Sequence, residues 1–460
     1  MSDYDVVVVG AGLAGNAAAL TAAEAGASVL LLEKGERYGG TSVKAGGGLV
    51  FAGTDLQTAA GVSDNGERLR EALLATGRGQ NDPDTVQAYL DHQLDTYAWM
   101  RERGVVFDYH ADLQPPHLNR LHGTAPGQAT DALHTRALAH PDVTYRPRCR
   151  ALRLRRGGDG RVDGVSVVAA DADRGEETVG ARRGVVLASG GFARSDALVR
   201  TFAPQWLEAT RMGGADNTGD GLTMAWALGA GLADMAQVEA SFGASVPNFP
   251  DLDDTGGAEP KLLYANAQGA VIVNREARRF VNEALNYKQI SGVCARQTDG
   301  LAFQVFDQRI MDRSLPHPLP SDFKGALAEG RVLAADTLAG LAALTGLDEA
   351  ALTATLAAYN SYVEAGEDPD FGRPVTAFDD GRIAVAPFYA YPCRNGLTTT
   401  YCGLTVDRSL RVLDVFGEPI EGLYAAGEVV GGFHGAAYYS GTGLGKAAVL
   451  GRGAGLAVAG

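Results

Sequence analysis

The opening of the chain limits its fold more than any other stretch. In DYDVVVVGAGLAGNAAALTAAEAGASVLLLEKG (residues 3–35), Val6 to Val9 is an apolar, β-branched run, suited to a strand covered on both faces. Gly10, Gly12 and Gly15 follow in GxGxxG spacing. Small residues from Ala17 to Ala25 then predict a helix, and Val29 to Leu32 a second buried strand ending at Glu33. Strand, helix and parallel strand make one unit of a doubly wound α/β sheet. Gly10 provides the tight turn, Gly12 the backbone approach to a pyrophosphate, and Gly15 close helix–strand packing. The free N–H groups at the helix start favour an anion. Glu33 stands where a carboxylate accepts hydrogen bonds from ribose hydroxyls. With both strands, the helix and the acid in place, a dinucleotide site outweighs a glycine turn without a ligand.

The next segment separates FAD from NAD. GERYGGTSVKAGGG (35–48) puts a Gly-Gly pair, Thr41 and Ser42 where a simple NAD domain runs into another helix. Tight backbone and two hydroxyls suit the ribityl-pyrophosphate arm of a non-covalently held FAD. There is no second GxGxxG for a nicotinamide, so oxygen, a quinone and a carrier protein stay open as electron acceptors. The net charge of −15 argues against nucleic acid and anionic membranes as partners. No apolar run reaches the roughly 18 residues a membrane span needs, and the start lacks a basic n-region before an apolar stretch, so the cytoplasm is the expected location. Cys149, Cys294, Cys393 and Cys402 form no CxxC pair, and the eight histidines show no ligand spacing; the expectation is reduced thiols and no metal.

Further along, residues 83–104 predict a helix with Tyr89, Leu94, Trp99 and Met100 facing inward. FDYHADLQPPHLNRLHG, which carries His110, His117, Arg120 and His122, is loop-like and equally compatible with solvation or substrate contact. Strands are expected at 143–151, through the following RLRR segment, and at 184–192. Thr218, Asp220 and Gly221 start another helix. Helix-prone segments at 322–342 and 347–364 mark an inserted α+β capping (substrate) domain over 241–384. Residues 1–240 and 385–460 then form the Rossmann-like FAD-binding domain. Arg275, Arg278 and Arg279 read as a solvated turn, with contact of one of them to the FAD phosphates as the other reading.

These blocks, in this order, resemble the fumarate reductase/succinate dehydrogenase flavoprotein superfamily, and within it the ketosteroid Δ1-dehydrogenase-like branch. The matching segments are GAGLAG, LLLEKG, GGTSVKAGGG, LASGGF, NTGDGLTMAWALGA, VNREARRFVNE, AAYNSYVEAGEDPDFGR, GLTVD and EGLYAAGEVVGG. The resemblance implies FAD, a mobile cap over the isoalloxazine ring and Glu428 at the ribityl region. It also implies cofactor contacts from Lys34, Gly40, Gly47, Gly190, Asp220, Gly443 and Leu444. Three departures bear on the substrate. Thr399 in TTYCGL stands where fumarate reductases carry a carboxylate-holding His. Tyr287 in FVNEALNYK replaces their proton-donating Arg, and Tyr438 in HGAAYYSG replaces a third cationic clamp. A carboxylate buried without partners costs several kcal/mol, roughly, so fumarate and succinate are poor substrates on this basis.

Ketosteroid dehydrogenases carry a catalytic Tyr at the NE-x-x-x-Y position, which Tyr287 matches. They also bond the substrate ketone with a Tyr and a glycine N–H, which Tyr438 and Gly441 match within one residue; Tyr439 is the other choice. The resemblance thus implies desaturation of a cyclic ketone, 3-ketosteroid-like or 4-oxocyclohexanecarboxylate-like. Tyr287 takes the α proton and flavin N5 takes the β hydride. A phenol has a reference pKa near 10 and needs help as a base; Lys288 and Tyr401 are the candidates. If the substrate also carries a carboxylate, Arg120 or His122 is the expected holder. The reverse reaction, by an enoate or enone reductase, is the alternative, and a flavin-binding protein without catalysis is a third class.

Overall fold

The computed structural model describes residues 3–109, 119–170, 175–252, 258–315, 319–377 and 380–460; His110 and His117 lie outside them. The chain divides into two compact units. One comprises Met1–Pro204, Gly213–Val238 and Thr399–Gly460, the other Gln205–Met212 and Glu239–Thr398.

In the first unit, the strand Asp3–Val9 pairs in parallel with Val29–Leu32 on one side and Glu177–Leu187 on the other. Val29–Leu32 continues to Val143–Arg146, and Glu177–Leu187 to Pro419–Ala425, again in parallel. Antiparallel strands at Cys149–Arg156, Val162–Ala169 and Arg411–Leu413 complete eight. The helix Leu13–Glu24 is buried over almost its whole length, because the helix Thr442–Ala459 lies on it backbone to backbone. A Cβ on Gly451 would come 2.5 Å from Ala14 O, and one on Gly455 2.6 Å from Ala18 O, so only glycine fits. The helix Pro83–Glu102 starts at an Asp82 cap with proline in its first turn. It buries Tyr89, Trp99 and Met100 as expected, but Leu94 is 41% exposed. Leu94 falls outside the buried Tyr89–Gln93–Tyr97–Met100 stripe.

The second unit centres on the strand Phe388–Leu397. It pairs antiparallel with Ser241–Ser245, Ala302–Asp307 and Leu333–Ala335, and parallel with Thr210–Arg211. Phe242, Ile272, Phe303, Phe306 and Tyr391 lie in its core. Because this strand runs to Leu397, the unit extends past residue 384 to Thr398, and 205–212 joins it through the Thr210–Arg211 pairing. Segment 322–342 is not one helix. Gly330, at φ 73°, follows the helix Phe323–Ala328, and a Thr337 cap opens Leu338–Thr345. Arg279 is no solvated turn residue. Its side chain is 4% exposed, forked onto Glu283 at 2.9 and 2.8 Å and onto Asp368 at 3.2 and 2.7 Å. Arg373 adds a fourth charge 3.4 Å from Glu283.

Candidate active site

The glycine loop of the first unit is shaped by backbone contact. Gly10 has φ 104°, and a Cβ there would meet Ala188 O at 2.5 Å; one on Gly15 would meet Gly10 O at 1.7 Å. Gly12 opens the helix without a side-chain cap of its own, and Ser42 Oγ accepts the Leu13 N–H at 3.2 Å. Asn16, one turn in, donates to Ala11 O and Gly12 O, both at 2.9 Å. With those carbonyls engaged inward, the loop keeps its shape. Glu33 accepts the N–H groups of Ala11 and Gly35 at 3.0 and 2.8 Å, so the acid expected at the ribose also clasps the loop. Gly40 and Gly47 hold left-handed turns. A Cβ on Gly47 would reach 2.1 Å from Thr124 O.

A second network gathers the later blocks. Glu428 accepts Thr400 N–H at 2.9 Å and the Asn217 amide at 2.9 Å; burial pushes its pKa up. Asn217 also donates to Thr41 Oγ1 at 3.3 Å and accepts the Ala193 N–H at 2.8 Å. Gly190 lies against it, its Cβ position 3.0 Å from the amide. Sequence reasoning passed over Asn217, although Thr218 and Asp220 beside it were singled out. Lys34 and Asp220 are engaged with each other at 2.8 Å, with Arg150 on the second Asp220 oxygen at 2.9 Å. They brace strand to helix.

At the start of the Thr442–Ala459 helix, the hydroxyl oxygen of half-buried Tyr438 accepts the N–H groups of Gly441 and Gly443, both at 3.2 Å. Tyr438 thus caps the helix, and the Gly441 N–H expected at a substrate ketone is bonded to Tyr438. Leu444 is half-buried in the same turn. Tyr401 stacks on Tyr438 with centroids 4.5 Å apart and meets His434 edge-on at 5.1 Å. Tyr401 sits at φ 58°, a region costly for a bulky side chain and typical of functional sites.

Tyr439 points elsewhere. It is 6% exposed, and its hydroxyl accepts from Arg120 at 3.2 Å, while Arg120 forks onto Asp64 at 2.6 and 2.9 Å. His122 is fully buried between Thr54 Oγ1 and Arg120 O, at 2.8 and 2.9 Å, and burial pushes it down to about 4. The expected carboxylate holders are therefore a guanidinium already paired with an acid and an imidazole that stays neutral at pH 7.

In the second unit, Tyr287 begins the helix Tyr287–Cys294 and stacks on Tyr264, centroids 5.0 Å apart. Lys288 beside it is 6% exposed.

The first unit fits FAD. Its glycine loop brings backbone against backbone at a helix start where Gly12 offers no side chain, a setting suited to phosphate. The Ser189 and Thr399 hydroxyls are buried without a partner among the described residues, as ligand-directed donors would be. The comparisons agree. The family profile described as FAD binding domain matches residues 5–444. A fumarate reductase (cytochrome) of Shewanella frigidimarina is 33% identical over 469 residues, which cover 98% of this chain and 76% of that protein. The 4-oxocyclohexanecarboxylate 2-dehydrogenase of Sinomonas cyclohexanicum is 30% identical over 558 residues, 100% of this chain and 93% of that one. The open conformation of a flavocytochrome c3 fumarate reductase matches with a TM-score of 0.85 at 29% identity, covering 100% of this chain and 78% of that one. The chain belongs to the FAD-binding fumarate reductase/succinate dehydrogenase flavoprotein family. Its fold is α/β, a Rossmann-like FAD-binding domain with a capping domain. It is an FAD-dependent oxidoreductase acting on the CH–CH or C=C bond of a small molecule. Among the described residues no helix is long and apolar enough to cross a membrane, and no acid, His or Cys group is placed to hold a metal.

Proposed function

We infer that the protein reduces the C=C bond of an α,β-unsaturated carbonyl compound whose oxygen it grips with uncharged donors, as an enone or enoate reductase. The observation that carries this is the Tyr438 hydroxyl. Its oxygen accepts two backbone N–H groups, which leaves its own proton for an acceptor. Burial pushes the phenol's pKa up while the two N–H bonds act the other way, so it stays protonated at neutral pH and donates strongly. It stands in the sequence where fumarate reductases carry a cationic clamp. A neutral donor suits a carbonyl oxygen that gains charge as the bond is reduced. Thr399, whose hydroxyl is buried without a partner among the described residues, is a second uncharged donor at a position that is cationic in those enzymes. FAD supplies the hydride carrier. Tyr287, in the place of the proton-donating Arg, delivers the α proton. The direction is favoured by the fumarate reductase relative at 33% identity.

The opposite direction, desaturation of a saturated cyclic ketone, has its own support. The 4-oxocyclohexanecarboxylate 2-dehydrogenase matches over the whole chain, and both tyrosine replacements follow the ketone-dehydrogenase pattern. By microscopic reversibility the same residues serve it, with Tyr287 as base and Tyr438 again on the carbonyl oxygen. Anaerobic flavin spectra separate the two. Rapid reoxidation of dithionite-reduced enzyme by enones or enoates, without bleaching of oxidised enzyme by saturated ketones, is the expected result. Bleaching by ketones alone assigns desaturation, and silence in both assays rejects both. Tyr438→Phe is expected to lower kcat by about 100- to 1000-fold, the usual loss for one oxyanion donor.

A further inference from the structure

We propose that Lys288 is the positioning residue for proton transfer at Tyr287, its ammonium lying against the phenol ring and stabilising the ionised form that remains once the proton has left. This rests on the assignment of Tyr287 as the proton carrier made above.

The geometry begins at the helix Tyr287–Cys294, whose start is fixed by a capping box between Asn286 and Gln289. That fixes the first two residues, Tyr287 and Lys288. The Lys288 stem is buried, and Nζ donates to Glu239 O at 2.9 Å while lying 5.6 Å from the Tyr287 ring centroid. One turn on, Ser291 donates to Ala240 O at 2.9 Å, so the same stretch of chain anchors both side chains. Tyr264 stacks on Tyr287 with an interplanar angle of 14°, which fixes the ring that the ammonium meets. Among the described residues, Glu239 is the charged group that acts on Lys288, and the phenols of Tyr287 and Tyr264 are stacked beside it. A buried ammonium is expensive, and a methionine of similar length packs the same space without a charge to desolvate. A fold that retains the charge beside a phenol retains its electrostatic effect.

In the reduction, the C=C π bond breaks and two C–H bonds form. Bound reduced FAD would supply the hydride for the β carbon, being oxidised as it does so, and Tyr287 gives its proton to the α carbon. Tyr287 is left as phenolate until solvent reprotonates it, and a cation against its ring favours that state. Burial pulls Lys288 down to about 7, against the Glu239 carboxylate, which holds it up. The support is therefore complete below neutral pH and fades as pH rises through about 7. A cation against the ring favours the phenolate, so part of the tyrosinate is expected at lower pH than for a phenol without one.

The test is a difference titration at 295 nm, wild type minus Tyr287→Phe, on the FAD-loaded protein. Part of the tyrosinate amplitude is expected below pH 9. Lys288→Met should move all of it above pH 10, and Lys288→Arg should keep it. Turnover of Lys288→Met should fall about tenfold at pH 6 with KM unchanged, the gap closing by pH 9. A merely structural lysine predicts no such pH-dependent gap. Identical titrations in wild type and Lys288→Met overturn the proposal. If Lys288→Met does not fold, absence of any Tyr287 signal below pH 9 in the wild type overturns it. Full activity in Tyr287→Phe instead removes the proton-carrier assignment itself, a separate outcome from the titration.

Discussion

An imidazole shut away from water resists taking a proton, and His122 is in that position. Its two ring nitrogens meet Thr54 Oγ1 and Arg120 O, and Phe51, Tyr97, Phe107 and Tyr109 surround the ring. Burial depresses its pKa to about 4 in the folded state, below the unfolded value near 6.5. The folded protein therefore binds fewer protons than the unfolded chain between those limits. Its contribution to stability is complete above pH 6.5 and is lost as pH falls toward 4, on the order of 3 kcal/mol. Urea unfolding at pH 7.5, 5.5 and 4.5 should show the decline. His122→Gln should lower stability overall but flatten part of the slope, with His92 and His134, depressed in the same direction by burial, supplying the remainder. An undiminished slope would contradict the assignment. At this scale residue types were legible and partners were not. Arg120 read as a free cation because its acid, Asp64, is 56 positions away, and Arg279 read as solvated because Asp368 is 89 away. HGAAYYSG reads as a glycine-rich loop before a helix, but nothing in it announces that the Tyr438 hydroxyl caps that helix.

Between elements, the contact that seats the glycine loop is the one between Leu13–Glu24 and Thr442–Ala459. It depends on missing side chains: at Gly451 and Gly455 an added Cβ meets backbone atoms of Ala14 and Ala18, which have no rotamer to yield. Gly451→Ala is expected to push the helices apart at a cost of about 1–3 kcal/mol and to weaken FAD retention, because the displaced helix begins at Gly12. Thermal melts and flavin-to-protein absorbance ratios check both. Gly66→Ala is the control. Nothing lies within 4 Å of its Cβ position, so it should be neutral or stabilising by up to about 1 kcal/mol, with full flavin. Period and turn chemistry made the local units readable: the strands Val6–Val9 and Val29–Leu32 and the small-residue helix between them. They were coarser at 322–342, a helix-prone segment that Gly330 and a short strand divide into the helices Phe323–Ala328 and Leu338–Thr345. The pairing of the first helix with one more than 400 residues later leaves no local trace beyond a spacing of glycines.

The chain passes between its two compact units at 204/205, 212/213, 238/239 and 398/399, yet each has its own sheet. The change of pattern read near 241 carries no sign of 205–212, whose two-residue strand contribution is too short to show one. What fastens the second unit is charge as well as apolar core. Arg279, Glu283, Asp368 and Arg373 are buried together, with Arg279 also over the Tyr359 ring at 5.0 Å. Removing the central cation leaves two buried acids with Arg373 as their one remaining cation in the cluster, so Arg279→Met should cost about 3–5 kcal/mol. The loss should fall on this unit first. The three tryptophans allow the check, because Trp206 belongs to the second unit while Trp99 and Trp226 belong to the first. In a Trp99→Phe, Trp226→Phe background, Arg279→Met should move the Trp206 fluorescence transition to lower urea while release of FAD, held by the first unit, moves less. Coincident shifts of both probes would mean that the units unfold as one cooperative body, and that the charged cluster supports the flavin site as well as the unit that contains it.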